Sequence, residues 1–188
     1  MTRSPRKIYF ILFLLPMALL AALAFVWGHE NSSAVWVRNA WFWAHTGSIL
    51  AGLSGLITAV SSAGLYLWQS AQLKSKHPGE MFLKLPSLDT LDKIHFRALI
   101  GGIILFSLGI LSGLFWASNK QELGGILHDP KVLLSFLTCA IYWLIVSMRL
   151  SAMRRGQKIA LGTLLAFGLL FATFMSSVYL PSYFHRGI

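Results

Sequence analysis

Charged residues, and acidic ones above all, are scarce in this sequence. Only 12% of its 188 residues are charged, and 6 Asp and Glu stand against 16 Lys and Arg. A soluble domain of this length rarely combines so few charges with 56% hydrophobic residues. No nucleophile elbow and no phosphate-binding glycine loop is found either. The composition therefore argues against a soluble enzyme of the common hydrolase or nucleotide-binding types.

Cysteine is nearly absent. Cys139 is the single one, so no intrachain disulfide can form, and the Cys-x-x-Cys-His motif of c-type cytochromes is missing. The short Cys and His clusters of zinc sites are missing as well. Because Cys139 falls in an apolar run, we expect it to be a small packing residue and not a reactive thiol.

What the sequence does have is long apolar runs, which predict an all-α, polytopic membrane helix bundle. We place five spans at residues 8–27, 45–68, 98–117, 132–149 and 159–180. The first is about 20 residues, too long for the apolar region of a typical signal peptide, so we expect a retained helix. We divide the chain into an N-terminal helix with its loop (1–43) and a four-helix membrane domain (44–188).

The distribution of basic residues predicts the orientation. Only Arg38, Lys120, Lys131 and Arg186 fall in the predicted segments opposite the N-terminus, and the other basic residues share its side. By the positive-inside rule, the N-terminus is cytoplasmic and the C-terminus is outside, as in a multi-pass protein of a bacterial inner membrane. The net charge of +10 is explained by these short loops, so we expect lipid contact and no nucleic-acid partner.

Small residues recur every four positions in the second predicted span, at Gly47, Ala51, Gly55, Ala59 and Ala63. This spacing lets another helix or a flat ligand approach the backbone closely. Helix packing is the simpler interpretation. Before the third span, the stretch 87–97 has apolar residues three apart, which predicts an amphipathic turn or two at the inner membrane surface, capped by Ser87 or Asp89.

Three histidines are predicted at the outer face, each beside a different helix: His45, His128 and His185. Each alone is more often an ordinary polar residue at the interface, but together they could bind a metal centre such as haem iron. His29 is expected to be solvated. His77 and His95 lie on the inner side, about 30 Å of hydrocarbon away.

Several motifs resemble the cytochrome c assembly family, the haem-handling membrane proteins of the CcsA, ResC and HemX type. Ala44-His45 opens a helix, Leu-Pro-Ser-Leu-Asp follows at 85–89, and Asp-Pro-Lys follows at 129–131. The terminal stretch 180–187 is similar to the family's outer histidine segment. The resemblance covers about 44–188, and the stretches 85–89 and 129–131 are its more specific parts.

The resemblance implies that His45 and His185 flank non-covalently held b-type haem at the outer face and are the metal ligands. It implies that 118–131 corresponds to a tryptophan-rich loop that presents haem. This loop contains no tryptophan here, and Ile126 and His128 stand where tryptophans are expected, while Asp129 remains. We assign His128, Asp129, Trp41 and Trp116 to the candidate cofactor site as further contacts; for the two tryptophans, an interfacial aromatic belt is the simpler reading.

Three functional hypotheses follow. The first is a haem-handling or accessory protein of cytochrome c biogenesis, non-catalytic, with other assembly subunits or apocytochrome c as partners. The second is a haem-free scaffold or regulator of the same fold that docks a haem-biosynthesis or assembly partner. The third is a b-type electron-transfer subunit, which usually needs histidines buried within helices, and we expect none here.

Overall fold

Four α-helices form the part of the chain that the computed structural model describes, residues 40–75, 85–119, 129–151 and 156–179. They are α1 (Ala40–Ser75), α2 (Leu88–Asn119), α3 (Pro130–Ser151) and α4 (Gln157–Tyr179). These described residues contain no strand, so the predicted all-α class is confirmed. The predicted first span at 8–27 lies outside them.

Within the described residues, three stretches are long and apolar enough to cross a membrane: Trp43–Ser75, Leu88–Trp116 and Val132–Ser151. Within α4, Gln157–Ala172 forms a further apolar helical stretch. Leu111, Leu144 and Leu165 are among many large apolar side chains that point outward with more than half of their surface exposed. Apolar side chains on the outside of a helix bundle suit contact with lipid tails, and the protein is an integral membrane helix bundle.

Neighbouring helices run antiparallel, which divides the bundle into two ends. On α1 and α2, His45 lies against Gly113 while Gly55 lies against Gly102, so the two residue numbers change in opposite directions. We call the end with the start of α1 the His45 end. The opposite end, where α2 begins and Arg149 reaches Asp92, is the His95 end.

The small residues of α1 serve helix packing, as the simpler interpretation predicted. A Cβ atom placed on Gly55 would lie 2.7 Å from the Gly102 Cα atom of α2. Ala59 and Ala63 are fully buried, whereas Gly47 has no neighbour within 4 Å of its Cβ position. This close approach gives α1 and α2 the most extensive contact of the bundle and fixes their register.

The start of α2 differs from the prediction. The Ser87 carbonyl accepts the backbone N–H of Leu91, and its hydroxyl caps the helix, as one of the two expected caps. Residues 88–97, however, are not a separate amphipathic turn at the surface, because α2 is continuous from Leu88 to Asn119. Leu91, Ile94 and His95 are buried, so the apolar spacing faces the bundle and not the membrane surface.

The start of α4 is held against the end of α1. Gly156 has a φ of 95°, a left-handed conformation that favours glycine, immediately before Gln157 opens the helix. The Gln157 side chain donates to Ser70 Oγ at 2.7 Å and accepts from Lys74 Nζ at 2.9 Å. These bonds join the helices of the second and fifth predicted spans at the His95 end.

Candidate functional site at the His45 end

His45 is placed by the face of α1 that packs on α2. Trp41, His45 and Ile49 are spaced by four and therefore share one side of the helix. Ile49 packs against Gly109, and the His45 ring packs against Gly113, where a Cβ atom would lie 2.8 Å from its Cε1 atom. The absence of side chains at these two glycines leaves room for the imidazole between the helices.

The orientation of the imidazole follows from one hydrogen bond. His45 Nδ1 lies 2.7 Å from the Gly109 carbonyl oxygen, which also accepts the Ser112 hydroxyl at 2.8 Å. A carbonyl oxygen can only accept, so Nδ1 carries the proton and donates it. In the neutral ring, Nε2 then bears the lone pair, and it makes no hydrogen bond within the described part of the chain. His45 thus has the tautomer and support of a typical histidine metal ligand.

Aromatic residues surround this end of α1 and α2. The rings of Trp41 and Phe115 are 5.1 Å apart between centroids and inclined by 40°, a favourable tilted arrangement. Trp41 is 49% exposed, and Trp116, the next residue on α2, is partly buried. The structure therefore places both predicted tryptophans at the same end as His45.

Asp129 stands at the beginning of α3. Its backbone carbonyl accepts the N–H groups of Val132 and Leu133, and Pro130 occupies the first helical position, where its missing N–H costs nothing. Asp129 is buried, with 5% of its surface exposed. Its sequence motif Asp-Pro-Lys therefore has a helix-starting role independent of any ligand.

The three histidines predicted at the outer face are His45, His128 and His185. His128 and His185 lie outside the described residues, so the structure describes only His45 of the three. Among the described residues, no group of three or more His, Cys, Asp or Glu side chains is arranged to hold a metal ion. His45, Asp129, Trp41 and Trp116 share the His45 end.

His95 corrects the expectation that no histidine is buried within a helix. It is 2% exposed, and its Nε2 atom lies 3.0 Å from Thr163 Oγ1 of α4. The Thr163 hydroxyl donates its proton to the Ile159 carbonyl, so His95 Nε2–H must be the donor in this pair. About 14 residues of α2 separate His95 from Gly109, roughly 21 Å along the axis, so His95 and His45 cannot hold one iron atom.

The sequence interpretation also missed an ion pair inside the bundle. Arg149 of α3 donates to both carboxylate oxygens of Asp92 at 2.8 and 2.6 Å, and it stacks on the Phe96 ring at 4.3 Å. The signal was present, because Asp92, His95 and Phe96 lie on adjoining faces of one helix. The sequence pattern of α2 does not show which residue of another helix faces these side chains.

Comparison with known proteins agrees with the resemblance in the sequence motifs. The family model described as Cytochrome C assembly protein matches residues 5–185. Protein HemX of Brevibacillus brevis is 35% identical over 124 residues, which is 65% of this chain and 44% of that protein. The matched part thus spans less than half of that relative's length.

No solved structure matches the chain. The family match nevertheless covers nearly all of it, from the N-terminal apolar run to the terminal histidine segment. The motifs at His45, 85–89 and 129–131 all fall within the matched residues. The chain belongs to the cytochrome c assembly protein family.

Proposed function

We propose that this protein handles haem during cytochrome c biogenesis, binding non-covalent b-type haem at the His45 end of the bundle. The observation that carries the proposal is the His45 imidazole, whose Nδ1–H is fixed by the Gly109 carbonyl. A neutral imidazole of this tautomer offers Nε2 as an axial ligand for haem iron. The protein acts as a non-catalytic accessory in the inner membrane, with the His45 end facing outward.

The chemistry of the described residues fits a haem group. His45 is partly exposed, so a ligand outside the bundle can reach it, and its backbone support keeps the ring in place. Trp41 and Trp116 at the same end supply flat aromatic surface for a macrocycle. His185 is the proposed second ligand, and His128 and Asp129 are proposed further contacts.

The test is the absorption spectrum of the full-length chain purified in detergent with and without added haem. Haem ligation by histidine produces a shifted Soret band, and a double H45A/H185A variant should lose it. No Soret band in the wild-type protein would overturn haem binding. Full haem occupancy in the double variant would overturn the ligand assignment while leaving binding itself in place.

A second candidate is a haem-free scaffold of the same fold that docks a haem-biosynthesis or assembly partner. Two observations favour it: the loop 118–131 contains no tryptophan, and Asp129 is buried at the start of α3. Cross-linking in intact membranes would distinguish the two functions. The scaffold requires a partner on the cytoplasmic side, whereas haem handling predicts capture of apocytochrome c or another assembly subunit on the outer side.

A further inference from the structure

A pocket of about 290 Å³ opens between α2 and α3 at the His95 end, away from the proposed haem site. Its walls are Asp89, Asp92, Lys93, Phe96, Arg97, Arg149 and Leu150. Three cationic and two anionic side chains therefore surround one cavity, together with an aromatic ring and a leucine. The proposed function uses none of these residues.

The charges in this pocket do not cancel. Both Asp92 carboxylate oxygens are paired with Arg149, and Asp89 forms an ion pair with Lys93 one helical turn away. Arg97 is exposed and has no carboxylate partner among the described residues. Its guanidinium presents planar donors that match the oxygens of a phosphate group. The pocket thus carries one uncompensated positive charge.

The depth of the pocket matches the level of lipid headgroups. No charged residue occurs on α2 from Ala98 to Asn119, a length of roughly 32 Å at 1.5 Å per residue, close to the thickness of the hydrocarbon layer. On α3, the charge-free stretch begins at Val132 and ends at Met148. Arg97 and Arg149 are therefore the first charged residues beyond the apolar stretches, where phosphate groups lie.

We propose that this pocket binds the phosphate of an anionic phospholipid, with Arg97 as the principal contact and Lys93 as the second. Basic pockets between membrane helices commonly hold such headgroups. Leu150, which is 62% exposed, and Phe96 provide apolar surface for the glycerol and upper acyl carbons. The Asp92–Arg149 pair forms the rigid back of the site and is not displaced.

The experiment is native mass spectrometry of the full-length chain carrying phosphatidylglycerol or phosphatidylcholine. R97Q is expected to lower retention of phosphatidylglycerol about fivefold, since one cation near the membrane surface contributes on that scale. K93Q should show a smaller loss. Lys158 is an exposed lysine at the same end that does not line the pocket, so K158Q is the matched control and should stay within twofold of wild type.

R97K serves as a second variant, because it keeps the charge without the planar donors and should lose part of the retention. Circular dichroism checks that every variant keeps the wild-type helix content. Equal retention by R97Q and wild type would overturn the proposal. An equal loss of phosphatidylglycerol retention in K158Q would overturn it as well, because the lipid would then be held by general electrostatic attraction to the protein surface and not by this pocket. Displacement of the bound phosphatidylglycerol by soluble glycerol phosphate at the same concentration would also contradict the proposal.

Discussion

His45 of α1 and Gly109 of α2 are 64 residues apart in the chain and are joined by a hydrogen bond of 2.7 Å between Nδ1 and the backbone carbonyl. Through this bond, the packing of the two helices determines how the proposed haem ligand is oriented. The close packing of α1 on α2 brings the carbonyl to the ring, and the carbonyl sets the tautomer. Changes that move the two helices apart should therefore also change haem binding.

Gly113→Ala should weaken haem binding without removing the ligand. The new Cβ atom would lie 2.8 Å from Cε1 and 2.9 Å from Nδ1 of His45, so the ring must move and its bond to Gly109 must distort. Loss of the hydrogen bond that supports a histidine ligand typically lowers the affinity for the metal group about 10- to 100-fold. Gly101→Ala on the same helix is the control, because its Cβ position has no neighbour within 4 Å. Haem titration of both variants measures the difference.

Gly55→Ala should destabilise the bundle. Its Cβ atom would lie 2.7 Å from the Gly102 Cα atom, and backbone cannot give way as a flexible side chain can. Overpacking of this kind costs about 1–3 kcal/mol in the free energy of unfolding. Gly64→Ala on the same helix has open space and should be neutral or slightly stabilising. Equal stability of the two variants in denaturation experiments in detergent would show that helices α1 and α2 do not pack at this distance.

Replacing Arg149 or Asp92 alone by alanine should be strongly destabilising. Their side chains are only 8% and 14% exposed, so either single change leaves a charge in a largely buried place. Breaking such a pair costs about 3–5 kcal/mol. The double variant should lose less unfolding free energy than the two single variants lose together. A double-mutant cycle in unfolding free energy measures this coupling, and strict additivity would mean that the two side chains act independently.

Thr163→Val should destabilise the contact between α2 and α4. The substitution keeps the shape of the side chain but removes the acceptor for His95 Nε2–H, which is buried. An unsatisfied buried donor costs about 1–3 kcal/mol. Thr163→Ser retains the hydroxyl and should lose clearly less stability in the same thermal unfolding measurement. Identical melting temperatures of the two variants would show that the hydrogen bond between His95 and Thr163 does not stabilise the protein.

The all-α fold class and the four described helices could be predicted from the sequence, because apolar runs and the spacing of small residues are local properties of the chain. The same spacing indicated which face of α1 packs, and Gly55, Ala59 and Ala63 lie on it. The burial of His95 could not be predicted in this way, since the stretch 87–97 has an amphipathic pattern that suits either a membrane surface or a helix bundle. Its partner, Thr163, is 68 residues away.

The candidate site was predictable only in part for a similar reason. Ala44-His45 and Asp129-Pro130 carried recognisable motifs, and the structure puts both at one end of the bundle. The hydrogen bond from His45 to Gly109 depends on the register of two antiparallel helices. No pattern within either helix specifies that register to the precision of one carbonyl group.

The most direct test of the central claim is the haem dissociation constant of the full-length chain with His45→Ala. His29→Ala is the matched control, since the sequence predicts this histidine on the same side and assigns it no ligand role. If His45 ligates the iron, its removal should weaken binding at least tenfold and alter the Soret maximum, while His29→Ala stays within twofold of wild type. Equal dissociation constants and identical spectra for wild type and His45→Ala would contradict the claim.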